Sequence, residues 1–214
     1  MNIVLLGCPG SGKGTQARAI ARRLGLKHFS PGDIYWDEIA KKTPLGEEVT
    51  DYLTTGRLVP DWLVLVTLKE KLAKETGGLL LDGFPRTMEQ AEAFETWLAS
   101  RSAALDAVIY LSLPEAEAAK RLADRLVCPG CGGIFNRATV KPFMENVCDS
   151  CGGAIRPRAD DKPELIKNRI MVYRDQTEHL ISYYRGNVEF FEVKASQPPE
   201  AVTAQILRLL KAGL

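Results

Sequence analysis

Gly7-Cys8-Pro9-Gly10-Ser11-Gly12-Lys13-Gly14-Thr15 stands between an apolar run, Ile3-Val4-Leu5-Leu6, and a stretch of helical character that extends to about Leu24. A glycine-rich turn between a strand and a helix is the setting of a phosphate-binding loop. Glycines let successive backbone N–H groups curl around an oxyanion, and the helix N-terminus adds about half a positive charge. Lys13 is then placed to reach the outer phosphates, and Thr15 to ligate Mg2+. The strict pattern G-x-x-x-x-G-K-[ST] is not met, because Gly14 follows Lys13 and the hydroxyl comes one place later. The loop is a variant form, and that narrows the choice of family.

Outward from the loop, apolar and helical stretches alternate. Short strands are expected at His28-Phe29, Leu79-Leu80-Leu81 and Ala107-Val108-Ile109-Tyr110-Leu111. Helices are expected over about 33–76 and 87–101 and from Glu115 to about Leu126, with late elements at 163–185, Val188–Val193 and 199–212. Near-continuous apolar strands separated by helices predict an α/β fold whose parallel sheet is covered on both faces. Residues 128–158 break the pattern with four cysteines, three prolines and little helical periodicity. Strand and helix resume beyond them, so this segment reads as a flap inserted in the core. There is no internal repeat and no low-complexity run.

The 214 residues (23.6 kDa) are 45% hydrophobic and 26% charged, which excludes a disordered chain, collagen and a coiled coil. Lys and Arg number 28 against 27 Asp and Glu, so a net charge of +1 gives no general pull toward nucleic acid or an anionic membrane. Basic residues must act locally. No stretch approaches the roughly 18 apolar residues of a membrane span, and the start has no basic segment of the kind that opens a secretory signal. The expectation is a cytoplasmic protein. His28 and His179, the two histidines, read as packing or surface residues, Cys8 as a small spacer, and no Ser/His/Asp or Cys/His nucleophile arrangement is present.

Cys128-Pro129-Gly130-Cys131 and Cys148-Asp149-Ser150-Cys151 form two C-x2-C turns separated by sixteen residues, the spacing of a four-thiolate zinc site. Four thiolates complete a tetrahedron, so the site is expected to be structural, with one Zn2+ and iron as the minor alternative. A nucleic-acid-binding ribbon fits poorly. Residues 125–161 carry five Lys or Arg against four Asp or Glu, and Phe135 and Phe143 are the aromatics between the cysteine pairs.

The loop Gly7-x-Pro9-Gly10-x-Gly12-Lys13-Gly14-Thr15 resembles that of the adenylate kinases, and Asp82-Gly83-Phe84-Pro85-Arg86-Thr87, with Gln90 following, resembles their second signature. The resemblance extends through Gly56-Arg57-Leu58-Val59-Pro60-Asp61, Arg121-Leu122-x-x-Arg125, Arg158-x-Asp160-Asp161, Arg169 and Leu180-Ile181-x-Tyr183-Tyr184. It implies a P-loop kinase core with a five-stranded parallel sheet flanked by helices. The core would comprise 1–29, 61–124 and 162–214, the acceptor-binding insertion 30–60, and the zinc lid of the long form 125–161. The implied reaction is Mg-ATP + AMP = 2 ADP by direct in-line transfer, in a monomer without nucleic-acid or membrane partners.

Phosphoryl transfer spreads negative charge over the γ-phosphate oxygens, so cations from several elements should converge on it. The resemblance assigns catalysis to Lys13, Arg86, Arg125, Arg158 and Arg169. For ATP it implies Gly10, Ser11, Gly12, Lys13, Gly14, Thr15, Arg121, Arg125, Ile134, Phe135 and Gln197. The AMP set would be Pro31, Trp36, Arg57, Leu58, Val59, Gly83, Phe84, Pro85, Arg86, Gln90, Arg158 and Arg169. Thr15 and Asp82 would hold the Mg2+ water shell, and Asp33 is either a further member of that shell or a helix cap. Two positions depart from the family pattern. Pro31 stands where a threonine would offer the acceptor base a hydroxyl and an N–H, and Trp36 replaces a second arginine for the acceptor phosphate. Losing one charge-assisted contact costs about 1.5–3 kcal/mol. These departures keep open a kinase for another nucleoside monophosphate and, from a different class, a nucleotide-binding zinc module without transfer activity.

Overall fold

The computed structural model describes residues 1–212. In chain order its elements are β1 (Asn2–Leu6), α1 (Lys13–Leu24), β2 (Lys27–Phe29), α2 (Pro31–Ala40), α3 (Pro44–Thr55), α4 (Asp61–Leu72), β3 (Leu79–Asp82), α5 (Met88–Ala99), β4 (Ala107–Ser112) and α6 (Glu115–Ala123). Three short strands follow, β5 (Arg125–Val127), β6 (Ile134–Asn136) and β7 (Arg156–Pro157). Then come α7 (Pro163–Val172), a π-turn (Tyr173–Thr177), α8 (His179–Arg185), β8 (Glu189–Lys194) and α9 (Pro199–Ala212).

Five strands form one parallel sheet in the order β2-β3-β1-β4-β8. The two-residue period of a strand decides where its side chains go. Val4 and Leu6 of β1 join Phe29, Leu81, Phe84, Phe94 and Leu68 in one buried cluster. Ile3 and Leu5 join Ile20, Leu80, Ile109 and Ile206 in another on the opposite face. Each such side chain contributes about 1.5–3 kcal/mol by leaving water, which is why β1 has no polar alternation to read. From β1 the chain turns to β2 and β3 on one side and later reaches β4 on the other. The loop after β1 therefore lies at the C-terminal edge of the sheet, near the reversal in strand order where such folds bind ligands.

Local signals set the helix limits. Ser30, Thr43 and Thr87 cap α2, α3 and α5 through their side-chain oxygens, and prolines open α2, α3 and α7. The helical stretch expected over about 33–76 is thus three helices beginning at Pro31. The helix expected to reach Leu126 ends at Ala123, because Leu126 packs with Cys128, Phe135, Cys148 and Ile155 in a separate small core. There β5 pairs antiparallel with β6 and β7. The late element expected over 163–185 is helical and interrupted by the π-turn, which directs the Thr177 hydroxyl to the carbonyl of Arg86 at 2.9 Å.

Candidate functional site

The loop after β1 curls tightly. Gly10 and Gly12 have φ of 88° and 92°, and a side chain at Gly10 would strike the Ala118 carbonyl at 2.5 Å. Ser11 N–H closes the turn on the Cys8 carbonyl at 3.1 Å. Lys13 opens α1 and folds back, its Nζ donating to the carbonyls of Gly7 (2.6 Å) and Cys8 (3.0 Å). Enclosure by protein pushes the Lys13 ammonium down to about 8, against the opposing pull of Asp82. Water still reaches it through the cleft, as its partial exposure requires.

The cleft is a cavity of about 640 Å³, within the range of small-molecule sites. It brings together all the residues expected to bind ATP, from the loop through Arg121, Arg125, Ile134 and Phe135 to Gln197, along with Thr15, Asp33 and Asp82. Strand β6 lies close over the loop, with Ile134 Cδ1 3.2 Å from where a side chain on Gly14 would begin. A smaller cavity adjoins, lined among others by Pro31, Arg57, Leu58, Val59 and Gln90. Among the described residues, the charged side chains that line both cavities are Arg86, Arg158 and Arg169.

Carboxylates hold the arginines in place. Arg125 grips Asp161 with two hydrogen bonds of 2.7 Å, and Arg169 Nη1 lies 3.1 Å from Asp160 and 2.9 Å from Asp161. Burial pushes Arg169 down to about 10, so it stays charged at neutral pH. Burial alone would raise Asp160, but Arg158, Arg169 and Arg125 hold it below the usual carboxylate range. Arg86 Nε donates to the Gly83 carbonyl at 2.8 Å, leaving the rest of its guanidinium facing the cleft. Two carboxylates, Asp160 and Asp161, among four arginines leave the cluster net positive, as an anion site requires.

The structure also places several residues that the sequence left ambiguous. Asp33 is not the cap of α2: Ser30 is, and the Asp33 carboxylate pairs with Arg18 at 3.1 Å. Arg18 also donates to the Gly132 carbonyl in the lid, so this α1 residue, which carried no motif signal, ties α2 and the lid to the core. Phe84 and Trp36 line neither cavity. Phe84 is fully buried edge-on between Phe29 and Phe94, and Trp36 lies against Arg158. Pro85 lines the larger cavity, and Gly83 both. Gln90 lines the smaller cavity with its amide engaged on Asp61 (2.6 Å) and on the Arg86 N–H (2.8 Å).

His28, read from the sequence as a packing or surface residue, has Nε2 3.7 Å from Asp82 Oδ2. Burial would raise the Asp82 carboxyl, but His28 and the Lys13 charge outweigh it and hold it below its ordinary value. Asp82 is therefore a carboxylate beside the loop.

The four lid cysteines converge, their sulfurs all within 4.8 Å of one another. Cys128–Cys151 and Cys131–Cys148 are 3.5 and 3.4 Å apart, too long for disulfides. Sulfurs about 2.3 Å from a tetrahedral ion would stand about 3.8 Å apart, so the donor set fits Zn2+. A side chain at Gly133 would begin 3.4 Å from two of the sulfurs, in ordinary van der Waals contact with them.

A family model described as adenylate kinase matches residues 5–189. The adenylate kinase of Moorella thermoacetica is 43% identical over 98% of each chain, and that of Kosmotoga olearia 41% identical over 99% of each. That of Archaeoglobus fulgidus is 39% identical over 99% of this chain and 98% of its own. Since the match runs from the phosphate loop through both cavities and the cysteine cluster, the chain belongs to the adenylate kinase family.

Proposed function

We propose that the chain transfers the terminal phosphoryl group of Mg-ATP to AMP, giving two ADP in one in-line step. The observation that carries this reading is that Arg86, Arg158 and Arg169 line both cavities. A phosphoryl group moving between nucleotides in the two cavities would pass these guanidiniums, whose planar forks suit its equatorial oxygens. Donor ATP occupies the larger cavity. There the loop from Gly10 to Thr15 holds its phosphates, Lys13, Arg121 and Arg125 add charge, and Ile134, Phe135 and Gln197 bound the base end. The acceptor occupies the smaller cavity, its phosphate toward Arg86 and its base toward Leu58, Val59 and Gln90. The full-length match to adenylate kinases does not favour the reading as a kinase for another nucleoside monophosphate.

Thr15 and Asp82 hold the Mg2+ water shell, with Asp33 on its margin because Arg18 already engages its carboxylate. When bound there, Mg2+ would supply positive charge to offset that of the phosphates. One Zn2+ in the four cysteines keeps the lid (125–161) folded, and with no open coordination position it takes no part in transfer. Residues 30–60 act as the acceptor domain, and the core comprises 1–29, 61–124 and 162–214. The enzyme acts as a monomer on this reading, since residues of this chain supply every group assigned above. Among the described residues no helix is long and apolar enough to cross a membrane; the cytoplasmic location is part of the proposal.

Arg86 provides the test. Removing its guanidinium forfeits charge-assisted contacts worth about 1.5–3 kcal/mol each, so Arg86→Ala should lower kcat/KM for AMP at least a hundredfold. Initial rates of ADP formation, with melting curves to establish folding, read this directly. A folded variant within threefold of the parent would remove Arg86 from the acceptor site.

A further inference from the structure

Trp36 lines neither cavity, yet its indole faces the guanidinium of Arg158, whose Cζ lies 5.8 Å from the ring centroid. That is within the reach of a cation–π contact. The other hold on Arg158 is Asp160, whose Oδ1 is 2.8 Å from Nε; Asp160 is buried and shared with Arg169. With Asp161 taken by Arg125 and Arg169, no carboxylate in this cluster is left for Arg158 alone. A further carboxylate would also repel an incoming phosphate. An aromatic face attracts a cation without placing negative charge beside the anion site. Trp36 belongs to α2, which borders the smaller cavity through Pro31 and Gly32, and Arg158 follows β7 in the lid, so the contact joins two elements on either side of the cleft.

We infer that Trp36 is a positioning residue for acceptor binding: its indole holds the Arg158 guanidinium at the junction of the two cavities, with N–H groups left for the acceptor phosphate. The inference rests on the assignment of Arg158 to phosphate binding made above. Trp36 thereby contributes to AMP affinity through Arg158 without touching the nucleotide, and an aromatic ring at this position is what matters.

The test is a set of variants, Trp36→Phe, Trp36→Leu, Arg158→Ala and the double variant Trp36→Leu/Arg158→Ala. Each is read by KM for AMP, kcat, and the Kd for AMP in the presence of a non-hydrolysable ATP analogue, which needs no turnover. Trp36→Leu should raise KM and Kd for AMP about three- to tenfold, with kcat changed less than threefold. Trp36→Phe should recover most of that loss, and in the Arg158→Ala background Trp36→Leu should have no further effect. Melting curves establish folding, and Trp36→Met replaces Trp36→Leu if the latter does not fold. Equal effects of Phe and Leu, or an undiminished effect of Trp36→Leu without Arg158, would overturn the inference while leaving the site intact. Arg158→Ala with unaltered Kd and kcat would overturn the phosphate assignment itself, and the inference with it.

Discussion

Lys13→Ala is expected to lower kcat at least a thousandfold while leaving the fold intact. Nζ rests on the carbonyls of Gly7 and Cys8, and the Cys8 carbonyl also accepts from Ser11 N–H, so the loop keeps its turn once the side chain is gone. What the variant lacks is a preorganised cation where charge develops, and a single such donor is commonly worth 10²–10³ in rate. Here the same side chain also positions the phosphates, which adds to the loss. Removing a charge held in a confined site should leave the melting temperature unchanged or raise it. A folded Lys13→Ala variant with more than a tenth of the parental kcat would contradict the role.

The same ammonium sets a pH dependence. Its pKa of about 8 lies below the ordinary 10.5, and a bound phosphate, being anionic, must raise it. ATP binding therefore takes up a proton above about pH 8. The expected profile of kcat/KM for ATP carries a downward limb beginning near pH 8, approaching tenfold per pH unit. For folding the sign is reversed. The unfolded chain holds this proton more tightly, so the contribution of Lys13 destabilises the folded protein in full below about pH 8 and is relieved as pH rises toward 10.5. A kcat/KM profile flat to pH 10 would show that the ammonium does not titrate there.

The second large effect concerns the lid. Its core is five residues, Leu126, Cys128, Phe135, Cys148 and Ile155, and two of these are thiols of the cysteine cluster. Strands of three, three and two residues around so small a core cannot offset the entropy of ordering the segment. On the proposed reading metal binding supplies the difference, as in other small four-ligand modules. Stripping the metal with a chelator, or Cys148→Ser, should unfold residues 125–161 while the parallel-sheet core remains folded. Arg125 on β5 and Arg158 beyond β7 would lose their places, and kcat should fall about a hundredfold. Limited proteolysis should cut between 128 and 155 in the stripped protein and spare the core. A metal-free lid that resists protease, with kcat within threefold, would show that the cysteines do not hold it together.

The phosphate loop and sheet were legible because each rests on short-range rules. The glycines at positive φ stand within nine consecutive residues, with a strand just before them and a helix running on after them. The cysteine cluster was legible for a similar reason, since each C-x2-C turn is local and its partner has the same form. What remained hidden depends on long-range placement. Leu126 fits the spacing of α6, and only its packing on Phe135 and Ile155 makes it part of β5. Arg18 is one of many surface-type arginines until the lid brings the Gly132 carbonyl to it. His28 gains its place beside Asp82 because β2 and β3 pair in parallel, a register that no local pattern encodes. Trp36 reads as a lost phosphate contact in one dimension, and its neighbour Arg158 is more than a hundred residues away.

The most direct measurement is ADP formation from Mg-ATP with AMP, CMP, UMP or GMP, each over a wide range of acceptor concentration. Turnover with AMP at a kcat/KM at least tenfold above that of any other acceptor is the predicted result. A higher kcat/KM with CMP, UMP or GMP, or no ADP from any of the four in folded, metal-loaded protein, would contradict it.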